Sequence, residues 1–334
     1  MVRFSDVLTI VNGKNQRNVE NPNGRYPIYG SGGVMGYADK YLCEAETVII
    51  GRKGSINNPI YVKEPFWNVD TAFGLVADKT VLMPKYLYYF CVKFDFNKLN
   101  TTVTIPSLTK ANLLNIEMNL PIIEEQTVIV NKLDKIANII DIRKQQLQKL
   151  DELVKAKFVE MFSGKEYPIY KWNDVFVTTT GKLDSNAMEE NGRYPFFTCA
   201  KEIYRINDYA FDQEALLLAG NNAAGKYDVK YYKGRFNAYQ RTYVLSLKGN
   251  WVYSLFKYQL EDKLLYLQQQ SLGGLTKYLT LKILGELEFI VPPLNEQNQF
   301  AYFVEQIDKS KLNVQKSLEQ LEMLKNALMQ KYFG

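Results

Sequence analysis

Two short polar loops hold the residue types best suited to chemistry or to gripping a ligand. Gly51-Arg-Lys-Gly-Ser-Ile-Asn-Asn58 follows an apolar run and sets two cations, a hydroxyl and two amides behind a glycine. Gly220-Asn-Asn-Ala-Ala-Gly-Lys226 follows a second apolar run, with Tyr239-Gln-Arg241 downstream. Arg and Lys can donate to guanine O6 and N7 or to phosphate, and Asn can pair bidentately with adenine; Gly lets a backbone come close. Enzymatic readings of the same loops fare worse. The second has the Gly and Lys spacing of a phosphate-binding G-x-x-x-x-G-K loop, but Tyr227 stands where a Ser or Thr must meet Mg²⁺. A polar turn accounts for it. Asn57-Asn58-Pro59-Ile60-Tyr61 shares part of the amide-Pro-Pro-aromatic motif of amino-methyltransferases. It lacks the second Pro, and no Gly-rich loop between a parallel strand and a helix precedes it to hold S-adenosylmethionine.

The chain contains no histidine, which excludes Ser-His-Asp and Cys-His nucleophile systems and His-ligated zinc or iron. Cys43, Cys91 and Cys199 lie far apart without C-x-x-C spacing, so they read as small core-filling side chains in a reducing compartment. Met1-Val2-Arg3-Phe4-Ser5-Asp6 has neither the basic cluster nor the apolar core of a signal peptide. No apolar run approaches the ~20 residues of a membrane span, and a cytoplasmic protein is expected.

The elements that must position the loops are written twice. Arg3-Phe-Ser-Asp-Val-Leu reappears as Lys171-Trp-Asn-Asp-Val-Phe, and Gly13-Lys14 as Gly181-Lys182. Asn23-Gly-Arg-Tyr-Pro27 returns unchanged as Asn191-Gly-Arg-Tyr-Pro195. Ten of the 25 positions from 3 to 27 are identical at an offset of 168, where unrelated sequence would give roughly one or two. The chain is an internal duplication. Thr47-Val-Ile-Ile, Pro59-Ile-Tyr-Val, Leu216-Leu-Leu and Thr242-Tyr-Val-Leu read as buried strands between Gly, Asn and Pro. Lys85-Tyr-Leu-Tyr-Tyr-Phe and Val252-Tyr-Ser-Leu-Phe-Lys-Tyr are apolar at helical spacing, so each copy is a mixed α/β module. A second polar loop follows in each: Asn100-Thr-Thr-Val-Thr-Ile-Pro-Ser-Leu-Thr-Lys110 and Gln268-Gln-Gln-Ser-Leu-Gly-Gly-Leu-Thr-Lys277.

Each module ends alike, Leu120-Pro-Ile-Ile-Glu-Glu-Gln126 matching Val291-Pro-Pro-Leu-Asn-Glu-Gln297. Pro before a helix and Glu in its first turn mark helix starts. From Gln126 to Phe162 there is neither Gly nor Pro, and a heptad fits, with Leu133, Ile140, Leu147, Val154 and Met161 at a. Ile129, Ile136, Arg143, Leu150 and Lys157 fall at d. The second helix offers Val304, Lys311, Leu318, Lys325 and Tyr332 at a, with Ile307, Val314, Leu321 and Leu328 at d. So narrow a seam suits a partner helix better than a broad domain surface, and an antiparallel coiled coil between the two is expected. Two separate helices, each packed on its own module, are the alternative. Four segments result: modules at 1–121 and 165–292, and helices at 122–164 and 293–334. The modules carry net charges of +3 and +2 and the helical segments carry none, so the whole excess of +5 sits where the loops are.

A target-recognition module, a Pro-x-x-x-Glu-Gln junction and a long helix, all repeated, resembles the DNA-specificity subunit of type I restriction–modification enzymes. Asn23-Gly-Arg-Tyr-Pro27, Ile50-Gly-Arg-Lys-Gly-Ser55, Tyr239-Gln-Arg-Thr-Tyr243 and the two junctions carry the likeness, which spans essentially the whole chain. The resemblance implies an α+β fold of two target-recognition domains with paired helices and no catalysis of its own. Each domain would read one half of a split double-stranded DNA site, and the helices would set the gap and dock two methyltransferase subunits. Translocase–nuclease subunits would complete the complex. S-adenosylmethionine, ATP and Mg²⁺ would bind to those partners, with no cofactor or metal in this chain. The residues expected at DNA are Arg52, Lys53, Ser55, Asn57, Asn58, Thr102, Thr104 and Lys110 in the first copy. In the second they are Asn221, Asn222, Lys226, Gln240, Arg241 and Lys277. The competing reading is a helical scaffold that joins protein partners without reading DNA.

Overall fold

A run that is buried at every position needs cover on both faces, and each copy is built around one such strand. The structure is a computed structural model that describes residues 1–99, 107–223 and 225–334. In the first copy Thr47–Gly51 is buried throughout, at the centre of an antiparallel sheet ordered Leu8–Asn12, Ala72–Ala77, Thr47–Gly51, Ile60–Val62. Successive side chains point to opposite faces. Val48 and Ile50 therefore pack with Tyr86, Leu87 and Phe90 of the helix Pro84–Lys93, while Ile49 packs with Cys43, Val62 and Phe66 beneath. The second copy repeats the plan. Leu216 and Leu218 of Phe211–Ala219 face Leu255 and Phe256 of the helix Tyr253–Asp262, and Ala215 and Leu217 face Phe197 and Phe236. The expected strands and both short helices are all present.

The copies differ in how the sheet closes. In the first, Gly33–Ala38, Tyr26–Gly30 and Trp67–Asn68 form a separate three-stranded sheet, the last pair parallel. In the second, the ten-residue strand Val229–Ala238 does the work of both Ile60–Val62 and Trp67–Asn68. The result is one six-stranded sheet, again with a parallel pair to Tyr194–Phe197.

The identical residues mostly serve packing. A Cβ on Gly13 would lie 1.7 Å from the Val69 carbonyl oxygen, and one on Gly181 would lie 1.7 Å from that of Ala238. Gly24 and Gly192 are also pressed on the backbones of Ala38 and Ile206, at 2.5 and 2.2 Å. Asp6 and Asp174 accept from the backbone N–H of Arg3 and Lys171, closing the first helical turn of each copy. Tyr26 meets the Tyr41 ring at 5.0 Å, and Tyr194 meets Tyr209 at 5.1 Å.

The two long helices, Ile123–Phe162 and Leu294–Phe333, are 40 residues each, or about 60 Å at ~1.5 Å per residue. The chain divides into two compact units, 1–146 with 314–334 and 147–313, so each unit takes part of both helices. In the first unit Ile129, Val130 and Leu133 share a core with Met329, and Lys144 pairs with Glu322 at 3.6 Å. In the second, Phe158 and Phe162 pack on Phe300, and Lys311 pairs with Asp151 at 2.5 Å. Within each unit the helices therefore run antiparallel. Every expected a and d position is buried or half-buried. The two alternatives for the helices merge, since each half packs on its module and on the other helix at once.

The junction glutamines have a physical role that the sequence did not reveal. Gln126 is fully buried; its Oε1 accepts from Met83 N at 2.8 Å, and its Nε2 donates to the carbonyls of Val81 and Pro121, both at 2.8 Å. Gln297 does the same, accepting from Val252 N at 3.0 Å and donating to Pro292 O at 2.7 Å. One amide thus satisfies the start of the short helix and locks the long helix to its module.

Candidate nucleic-acid interface

Both loops are hydrogen-bonded to an equivalent short turn, which joins two strands in each copy. In the first copy this turn is 68–72, held by a bond from the buried Asn68 amide to Ala72 O at 3.1 Å. Arg52 N donates to Thr71 O at 2.7 Å, and Arg52 O accepts from Leu108 N at 2.9 Å. Lys53 bridges to Ser107. Backbone bonds on both sides thus hold the basic loop and leave the side chains of Arg52, Lys53 and Ser55 exposed. The Arg52 guanidinium lies 5.8 Å from the centre of the Phe73 ring. Gly51 is needed for closeness: a Cβ there would stand 2.3 Å from Ser55 O and 2.9 Å from the Ser31 side chain at the hairpin tip.

The remaining first-copy residues divide. Asn57 donates to Asp95 Oδ1 at 2.9 Å and accepts from Phe96 N at 2.7 Å, so its amide is spent on tying the loop to the 3-10 turn Phe96–Leu99. That bond, ahead of the Asn97 N–H, holds the Asp95 carboxyl below its usual range. Asn58 beside it is exposed. Lys110 Nζ donates to Ile10 O at 2.9 Å and anchors a helix start to the strand Leu8–Asn12. Thr102 and Thr104 lie outside the described residues.

In the second copy the equivalent turn is 237–242. Gly220 N donates to Arg241 O at 2.8 Å, and Leu279 N donates to Gly220 O at 2.8 Å. Asn221–Asn222 pairs with Lys277–Tyr278 as a two-stranded ladder. A cleft opens there, lined by Thr180, Gly220, Gln240, Arg241, Tyr243 and Tyr278. Asn221, Asn222, Gln240, Arg241 and Lys277 are thereby gathered on one mouth, and exposed Lys226 follows, its N–H 3.3 Å from Asn222 Oδ1. The strand Val229–Ala238 follows this loop where a nucleotide-binding loop would open a helix. Arg52, Lys53, Lys226, Arg241 and Lys277 enter no ion pair among the described residues. Those residues also include no cluster of metal-ligating side chains.

The shared Leu-Thr-Lys ending of the second polar loops misleads. Thr109 caps the helix Lys110–Leu114 by accepting from Asn112 N, and Thr280, not Thr276, does so for Leu281–Gly285. Lys110 and Lys277 are therefore not counterparts: one begins a helix and the other lies in the ladder with Asn222. Sequence reasoning also missed the turns 68–72 and 237–242. Their signal is Trp67-Asn68 against Phe236-Asn237, one residue off the register of the repeat.

Comparison with known proteins agrees with this architecture. The pattern of the family described as type I restriction modification DNA specificity domain matches twice, over residues 1–152 and 164–323. The specificity subunit of the type I restriction enzyme EcoDI from Escherichia coli is 33% identical over 174 residues, which is 50% of this chain and 37% of that protein. A type I specificity subunit of Mycoplasma pneumoniae is 27% identical over 215 residues, 61% of this chain and 79% of its own. The crystal structure of the S subunit of a type I restriction–modification system from M. genitalium superposes with a TM-score of 0.69. It covers 100% of this chain and 95% of that one at 17% identity, so the two share a fold.

Proposed function

The chain belongs to the type I restriction–modification DNA-specificity family, and we propose that each of its two units reads one half of a split double-stranded DNA site. The specificity subunit is the non-catalytic component of the type I enzyme. The observation that carries the two-half reading is the pair of mouths. One scaffold, built twice, presents loops at the same structural place with different residues, Arg52 and Lys53 against Asn221 and Asn222. Equivalent placement gives both the same approach to a groove, and different donors and acceptors select different bases. The unpaired cations at both mouths suit a polyanion.

The paired helices set the number of unread base pairs between the halves, and their exposed faces dock two methyltransferase subunits, with translocase–nuclease subunits joining the complex. S-adenosylmethionine, ATP and Mg²⁺ act on those partners. The complex works in the cytoplasm; no helix among the described residues is long and apolar enough to cross a membrane. Mapping methylated bases in cells that express this chain with its methyltransferase subunit tests the reading. A split motif with a constant gap is expected. Methylation at a continuous motif, or none above background with an active methyltransferase, would leave a protein scaffold as the better account.

A further inference from the structure

Two copies that read different bases still meet the same sugar–phosphate backbone, so residues kept identical and exposed in both are suited to phosphate rather than to bases. Two of the ten identical positions are basic. Arg25 and Arg193 lie over the rings of Tyr26 and Tyr194, at 5.6 and 5.8 Å, and so have a packing partner. Lys14 and Lys182 are exposed, and among the described residues neither side chain makes an ion pair, hydrogen bond or ring contact. Folding alone gives no reason to keep them.

Their placement does. Lys14 N donates to Asn68 O at 2.9 Å and Gly13 N to Ala72 O at 3.2 Å, so Lys14 is tied to the same turn that holds Arg52 through Thr71 O. In the second unit Leu183 O, next to Lys182, accepts from Gln240 N at 2.9 Å, and Gly220 N bonds Arg241 of that turn. Each lysine thus flanks a base-reading mouth, on a segment pinned by a glycine that no larger residue can replace. We propose that Lys14 and Lys182 grip DNA phosphates, one in each unit, and fix each module on the duplex whatever bases its loops read. The role presupposes the two-half reading above.

The test uses the full chain with its methyltransferase subunit, on duplexes carrying either the methylated motif or a scrambled one, between roughly 50 and 200 mM salt. Lys14→Gln and Lys182→Gln should each reduce the log–log salt slope by about 0.9, and the double variant by about 1.8. Affinity should fall by the same factor on both duplexes, the methylated motif should stay the same, and Lys14→Arg should restore the slope. An unchanged slope, or an altered base preference in one half-site, overturns the assignment. If the unaltered protein fails to prefer its motif, the two-half reading is at fault. The lysines are still judged then, because their slope is read on either duplex.

Discussion

Polar side chains on one loop have different surroundings, and single substitutions separate them. Arg52 and Lys53 are held by their backbones and present exposed cations outside any ion pair among the described residues, so Arg52→Ala and Lys53→Ala should weaken DNA binding. A base contact costs about 1–3 kcal/mol at one position of the motif, and a phosphate contact weakens all sequences evenly. Gel shifts on single-base variants distinguish the two, and unchanged affinity in both mutants would reduce the loop to a surface turn. Asn57→Ala should instead lower stability by about 1–3 kcal/mol in urea unfolding while the motif stays the same, because Phe96 N loses its acceptor. The thiols give an independent probe. Burial pushes Cys43 up to about 12 and raises Cys91 as well, so both stay protonated and unreactive at neutral pH. Cys199 is half-exposed, 3.3 Å from Arg241 O at the second mouth. Native alkylation should label Cys199 alone, and DNA carrying the motif should slow it. Labelling that DNA leaves unaffected would place the duplex away from that mouth.

At the level of elements, the junction and the helix seam carry the architecture. Gln126→Ala or Gln297→Ala leaves buried backbone groups without partners, about 1–3 kcal/mol for each group in a site that water does not reach. Unfolding midpoints should fall in both variants; a Gln126→Glu variant should also fall, since a buried carboxylate cannot donate to Val81 and Pro121. The seam predicts a ruler. One whole heptad added after Leu147 and another after Leu318 keeps the a and d pattern and lengthens each helix by about 10.5 Å. At ~3.4 Å per base pair, the unread gap should grow by at most about three while the bases in each half stay the same. A folded double insertion that methylates with the original gap removes the helices as the spacer.

The molecule as a whole should behave as two exchangeable readers. Replacing residues 1–121 with another recognition module should change one half of the motif and leave the other intact. The exchange carries a packing condition, because the first unit's core joins Val48, Tyr86 and Phe90 to Ile129, Leu133 and Met329 on the two helices. A donor module that matches those helix residues should give a soluble, active chimera with a hybrid motif. Change in both halves at once would refute independent reading.

Much of this plan was legible in the sequence because it rests on local pattern. Duplication survives as identity at fixed offset, strands as buried runs, and helices as a heptad whose a and d positions from Ile129 to Tyr332 are all buried or half-buried. Charge by segment separated the two modules, which carry the whole excess, from the neutral helices. Tertiary structure decided what local pattern leaves open, namely which partner each polar group finds. Asn57 and Arg52 look equally available in the sequence, yet only folding brings Asp95 and Phe96 to the asparagine and leaves the arginine facing outward. The same holds for Lys110 and Lys277, alike in Leu-Thr-Lys but parted by strand register, and for Gln126, whose partners at Val81 and Met83 lie more than forty residues away. Hydrogen bonds between distant segments follow from how sheets close and helices dock, and no spacing within one segment records them.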